Sequence, residues 1–154
     1  MGRCRDPRPP HPVPYPVRRA GMVFIFLLLS LYLADTFKGE EMNKEIKKQW
    51  IAALTSGKYK QGRGQLRSEN NKFCCLGVLC NLHAQAYPKI AAMEKCSEEY
   101  MGEAGWLPDE VIEWAGLDSP NGVHTRGENV ETLALDNDCG YSFQKIAKII
   151  EEKF

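Results

Sequence analysis

No single sign of charge dominates this sequence. Its 154 residues carry 20 basic and 20 acidic side chains, which argues against a general nucleic-acid coat protein, where a clear basic excess is expected. No apolar run reaches the roughly 18–20 residues that a membrane-spanning helix requires. No internal repeat of useful length occurs, and from Met42 onward there is no low-complexity tract, so neither a repeat array nor a disordered spacer is indicated. What remains is a globular composition, 44% apolar with six cysteines, and about one domain's worth of length.

Composition changes sharply along the chain. Residues 1–19 hold six of the nine prolines, with Arg3, Arg5, Arg8, Arg18 and Arg19 among them. Proline at that density enters neither a helix nor a central strand. Met22 to Ala34 is then apolar apart from Ser30 and the hydroxyl of Tyr32. Two interpretations of residues 1–41 follow. Arg18-Arg19 before a short apolar run has the charge and length of an export signal, although large Tyr32 occupies a cleavage position that wants a small residue. The preferred alternative is a translated upstream leader. Lys38-Gly39-Glu40-Glu41 is what a purine-rich ribosome-binding stretch yields when read as codons, and Met42 follows at once.

Residues 42–154 then form the expected domain, with 14 basic against 16 acidic side chains and five cysteines: Cys74, Cys75, Cys80, Cys96 and Cys139. An odd number clustered in an apolar stretch fits a reduced, cytoplasmic protein; export or membrane anchoring is the alternative if residues 1–41 are genuine. Asn43 is a good helix cap, with Ile46, Trp50, Ala53 and Leu54 following at helical spacing up to Gly57. Gly57 to Asn71 is expected to be a loop. Phe73 to Leu82 fits a buried strand or a buried helix, and the helix is preferred because the stripe continues through Ala84 to Ala86. A short helix is expected near Glu98 to Met101, and another from Leu107-Pro108-Asp109-Glu110 to Gly116. Asp118 to Arg126 is expected to be a loop and Glu128 to Asp136 a short helix, with a strand as the alternative. Ser142 caps a terminal helix with Phe143, Ile146, Ala147, Ile150 and Phe154 on one face. The fold class predicted is mainly α: a compact small domain of about five short helices, with room for one minor β-hairpin.

Four segments resemble a family of small uncharacterised proteins encoded by tailed bacteriophages and prophages: Gly57 to Arg67, Phe73 to Cys80, Leu107 to Leu117 and Leu135 to Phe143. The resemblance spans residues 42–154 and none of 1–41. It implies a phage-related, intracellular setting and brings no activity with it. A fainter likeness reaches a broader uncharacterised bacterial domain with the order Gln-Gly, Cys-x-x-Gly-x-Leu, Asn-Asp and then a helix. Here these are Gln61-Gly62, Cys74 or Cys75 with Gly77 and Leu79, and Asn137-Asp138.

The Gly57–Arg67 loop concentrates Lys58, Lys60, Arg63 and Arg67 among glycines, with no acid before Ser68. Glycines let backbone N–H groups approach an anion closely, and the helix N-terminus near Phe73 would add a further anion site. The loop lacks the Gly-Lys-Ser/Thr ending of a P-loop. Ligand-binding residues expected here are Lys58, Lys60, Gln61, Arg63 and Arg67. A competing constellation is catalytic. Cys74 or Cys75, then His124, then Asp136 or Asn137 follow the Cys, His, polar order of papain-like and NlpC/P60-like hydrolases, with Gln61 as an oxyanion donor. The Asp-Cys-Ser-Gly type of nucleophile motif is missing. Cys75, Cys80 and His83 with Cys96 or Cys139 offer a zinc-stabilised module as a third option, but no Cys-x2-Cys knuckle is present, and no metal or cofactor is assigned. Asn137 is equally suited to tying loops together through its amide. The function expected is a non-enzymatic phage or prophage accessory protein whose basic loop contacts a host protein, a nucleotide or a nucleic acid, with no membrane partner if synthesis starts at Met42.

Overall fold

In the computed structural model, which describes residues 42–91 and 99–154, all within the unit Glu40–Phe154, helix α1 (Lys44–Thr55) starts on Asn43. The Asn43 side-chain oxygen accepts the N–H groups of Glu45 and Ile46 at 3.0 and 3.3 Å, donors that a first turn otherwise leaves unmet. Ile46, Trp50 and Leu54 form its buried stripe. Gly57, at φ 71°, turns the chain out of the helix.

The segment that follows is more than a loop. Strands β1 (Lys60–Gln61) and β2 (Lys72–Phe73) lie parallel, with Lys60 beside Lys72 and Gln61 beside Phe73. The ambiguous apolar run is therefore divided. Phe73 closes a strand, Cys74 caps, and helix α2 (Cys75–Ala86) takes the rest. Every residue from Cys75 to Cys80 is buried, as expected where a helix is apolar all round. Helix α2 is central, packing against α1 and β2 and against later elements described below. Trp50 Nε1 donates to the Cys75 carbonyl at 2.9 Å, joining the first helix to the central one.

Helix α3 (Pro88–Ala91) is a single turn, and α4 (Asp109–Ala115) carries Asp109 and Glu110 in its first turn before ending at Gly116, φ 67°. The helix expected near Glu98 to Met101 does not form over its described part: Met101 and Gly102 both have positive φ, 53° and 83°, and Tyr100 bridges to Glu103. Glu98 itself, and the leader expected over residues 1–41, lie outside the described residues.

Strands β3 (Val123–Arg126) and β4 (Asn129–Thr132) form an antiparallel hairpin in place of the preferred loop and helix, taking up the strand alternative and the one minor β-hairpin the expected fold left room for. The reason is Gly127, whose φ of 62° supplies the first position of a two-residue turn of the kind that matches strand twist. Helix α5 (Leu133–Asp138) begins only after the hairpin, on Thr132. The terminal helix, α6 (Phe143–Lys153), is capped by Ser142 and buries Phe143, Ile146, Ala147 and Ile150 against α1 and α5. Helix α2 completes its packing against α3, α4 and α5. The architecture is thus helix-rich, with six helices and two two-stranded sheets among the described residues. No described helix is long and apolar enough to cross a membrane.

Candidate functional site

The basic segment is fixed along its inner side. Leu66 is buried, and its carbonyl accepts the Cys74 N–H at 3.2 Å. Gly77 lies directly beneath: a Cβ there would come within 1.8 Å of the Leu66 oxygen. Glycine at 77 is therefore a requirement of this crossing. On the same side, Gln61 Nε2 donates to Asn137 Oδ1 at 2.9 Å and to the Tyr141 carbonyl at 2.7 Å. Asn137 Nδ2 returns a bond to the Gly62 carbonyl at 2.8 Å, and Asp138 Oδ1 accepts the Gly64 N–H at 2.9 Å. Asn137 is fully buried, so each of these bonds replaces water that the amide has lost, and a missing one costs about 1–3 kcal/mol. The pairs Gln61-Gly62 and Asn137-Asp138, far apart in sequence, thus form one clamp, with Cys74 and Gly77 beside it. Gln61 is a member of that clamp. Its amide is occupied and is not an oxyanion donor.

The outer side carries the charge. Lys60 and Lys72 are exposed neighbours in register, whereas their strand-mates Gln61 and Phe73 point inward. Lys58 and Arg63 are exposed as well. None of these four has an ion-pair partner among the described residues. Arg67 is held in place: its Nε donates to Asn71 Oδ1 at 2.9 Å and its guanidinium lies 5.3 Å from the centre of the Phe73 ring. Two clefts flank the paired strands. One, of about 490 Å³, is lined by Gln61, Gly62, Arg63, Ser68, Asn70 and Lys72. The other, of about 350 Å³, is lined by Lys58, Tyr59, Lys60, Arg67, Asn70 and Asn81 among others.

Two expectations about anion binding need correction. The N–H groups of Gly62 and Gly64 are not available, because Gly62 N donates to the Phe73 carbonyl at 2.7 Å and Gly64 N to Asp138 Oδ1 at 2.9 Å. The start of α2 is not an anion site either: it is buried, Leu66 sits across it, and Gly77 N donates to Cys74 Sγ at 3.3 Å. The cations, not the backbone, supply the positive surface. Lys72, Tyr59, Asn70 and Asn81 were missed by reading the sequence alone. The signal for Lys72 was the turn-forming run Ser68-Glu69-Asn70-Asn71, where Asn71 takes φ 57° and sends the chain back beside Lys60.

The catalytic constellation does not assemble. Burial pushes the Cys75 thiol well above its ordinary range, with the neighbouring Cys74 adding to the effect, and its Sγ donates to the Leu133 carbonyl at 3.4 Å. Burial likewise raises Cys80, again helped by Cys74. Cys74, also buried, caps α2. His124 is bonded to neither thiol: its Nε2 engages Asp136 Oδ2 at 2.9 Å and its buried Nδ1 has no partner among the described residues. Arg126 binds the same carboxylate, one guanidinium nitrogen lying 2.8 and 2.9 Å from its two oxygens and the other donating to the Tyr141 hydroxyl at 3.1 Å. That hydrogen bond to Asp136 raises Arg126 above its ordinary value. Asn137 faces the clamp rather than a thiol. Cys75 and Cys80 are buried thiols with no disulfide partner among the described residues, where no cluster of three or more His, Cys, Asp or Glu side chains able to hold a metal occurs either. Cys96, the further ligand considered for zinc, lies outside them.

Fold and site together define a small helix-rich domain with a rigidly backed basic ribbon. Residues 42–154 match the model of a family described as a domain of unknown function (DUF8296), and the chain belongs to that family. No curated protein and no solved structure matches it.

Proposed function

We propose that this domain is a non-enzymatic binding module that holds a phosphate-bearing ligand on the ribbon from Lys58 to Lys72. The observation that carries this is the register pair Lys60–Lys72, two exposed lysines on adjacent strands, each lining one of the two clefts, with no carboxylate partner among the described residues. Like charges placed directly opposite one another destabilise a sheet. A bound anion relieves that repulsion, and Lys58, Arg63 and Arg67 surround the same place with further positive charge. The buried Cys75 and Cys80 thiols, in no disulfide among the described residues, support a reducing cytoplasmic setting, and the resemblance noted above supports a phage or prophage accessory role.

The test replaces Lys60, Arg63 and Arg67 together by alanine and compares parent and variant against inorganic phosphate, nucleotides and oligonucleotides. Binding by the parent and its loss in the variant is the expected result. A parent protein that binds none of these probes overturns the proposal.

A further inference from the structure

We infer that the ligand of this face is a single-stranded nucleic acid laid across the ribbon through both clefts, rather than a mononucleotide held in one of them. This rests on the anion-binding function proposed above and specifies its ligand.

A site for one phosphate group concentrates donors on it, usually a run of backbone N–H groups or a helix N-terminus. Here those donors are already used: Gly62 N and Gly64 N are bonded within the protein, and the first turn of α2 is covered by Leu66. The positive charge is instead spread over side chains. Lys58, Lys60 and Arg67 line one cleft, Arg63 and Lys72 the other, and Asn70 lines both. A row of cations along a track suits a chain of phosphates, each neutralised in turn.

The clefts also favour a single strand over a duplex. They are concave, the exposed carboxamide of Asn70 lines both, and the second adds the half-buried ring of Tyr59 with the Asn81 carboxamide donating to its hydroxyl at 2.7 Å. Unpaired bases can enter such clefts and meet carboxamides and an aromatic edge. Bases stacked inside a duplex cannot.

Fluorescence anisotropy on the full chain tests this, using labelled single strands of about 6 and 12 nucleotides in DNA and RNA, the matching duplexes, and a labelled mononucleotide. With all five cations engaged, affinity for the longer strand falls about 100-fold between about 50 and 200 mM salt. Arg63→Ala on one side and Lys58→Ala on the other each weaken binding and each reduce the logarithmic salt slope by about 0.7. Both side chains are exposed, although the Arg63 guanidinium lies over Gly140, so circular dichroism and thermal denaturation of each variant accompany the binding measurement. If only one of the two variants loses affinity, the ligand does not cross the ribbon. If the mononucleotide binds as well as the longer strand, the polymer inference fails while the anion-binding function stands. If the duplex binds as tightly as the single strand, single-strand recognition fails. If no probe binds, both fail together. The DNA and RNA arms differ only in naming the sugar.

Discussion

Around Asp136 a buried carboxylate is matched on two sides, by His124 at 2.9 Å and by Arg126 at 2.8 Å. Along the ribbon, Lys58, Lys60, Arg63 and Lys72 stand in solvent without a carboxylate partner among the described residues. Both regions are fastened to α5: the first directly through Asp136, the second through Asn137 and Asp138. The difference lies in what each charge faces. Near Asp136 the charges answer one another and hold the hairpin to the body of the domain. On the ribbon the backbone is equally well held, but the charges have nothing to answer. On the proposed function, the first region serves the fold and the second is the one that meets the ligand.

The largest effect expected comes from breaking the support under the ribbon. Gly77→Ala places a methyl 1.8 Å from the Leu66 oxygen, and neither backbone can give way without moving α2 or the Leu66–Cys74 bond. A loss of at least about 3 kcal/mol, or failure to fold, is expected in denaturant titration. Gly57→Ala is the control. It meets nothing within 4 Å and suffers only its positive φ, so it costs about 1–2 kcal/mol. Equal losses from the two substitutions would show that the crossing under the ribbon is not tight.

Asp136→Ala removes the shared partner of the other region. His124 then stays buried with neither nitrogen bonded, while Arg126, 42% exposed in its side chain, can turn to water. The expected loss is about 3 kcal/mol, at the low end for breaking a buried pair. Oligonucleotide affinity should be unchanged in the folded fraction, because the ribbon does not use this carboxylate. Loss of binding in step with loss of stability would merge the two regions that the structure separates.

These distinctions were unevenly legible in the sequence. Caps and stripes of α1 and α6 followed from Asn43, Ser142 and helical spacing, because local rules govern helix ends and amphipathic faces. The basic character of residues 58–67 was equally plain. The pairing of Lys60 with Lys72 was not, because a two-residue parallel contact leaves no periodic trace. Nor did the sequence show that Gly62 and Gly64 would use their N–H groups internally, since those acceptors come from Phe73 and Asp138. The hairpin is only the second choice of the sequence, as a strand alternative and one minor β-hairpin, because Val130, 71% exposed, imitates the apolar residue of a helix stripe. Cysteine followed by histidine suggested catalysis until the fold gave each a different neighbour.

His83 sharpens the comparison from within the core. Its Nδ1 lies 2.7 Å from the Tyr100 hydroxyl, a neutral partner, whereas His124 faces a carboxylate. Burial lowers the His83 value from 6.5, and the charge of Glu110 opposes the shift only in part. As pH falls below 6.5 the unfolded chain takes up a proton that the folded chain resists, so His83 lowers stability until its folded value is passed. Thermal denaturation from pH 7.5 downward should therefore show a decline that is shallower in His83→Gln. Parallel pH profiles for the two proteins would mean that His83 carries no such linkage.

The smallest effect expected on stability is the most informative about the ribbon. Lys72→Glu turns the like-charged register pair into an opposite-charged one, at a position where both side chains are exposed and no hydrogen bond of either is lost. Stability should rise by about 0.5 kcal/mol, within the range of cross-strand pairs, and the gain should shrink as salt is added. Binding should move the other way, since the substitution removes one positive charge and places a negative one where a phosphate would lie. Most destabilising mutations weaken binding by unfolding the site. A variant that is more stable and binds less cannot be explained so, and it would identify the Lys60–Lys72 repulsion as strain that the ligand relieves. A loss of stability in Lys72→Glu would show instead that the two ammonium groups are already screened from each other by solvent, leaving the ribbon no electrostatic need for a ligand.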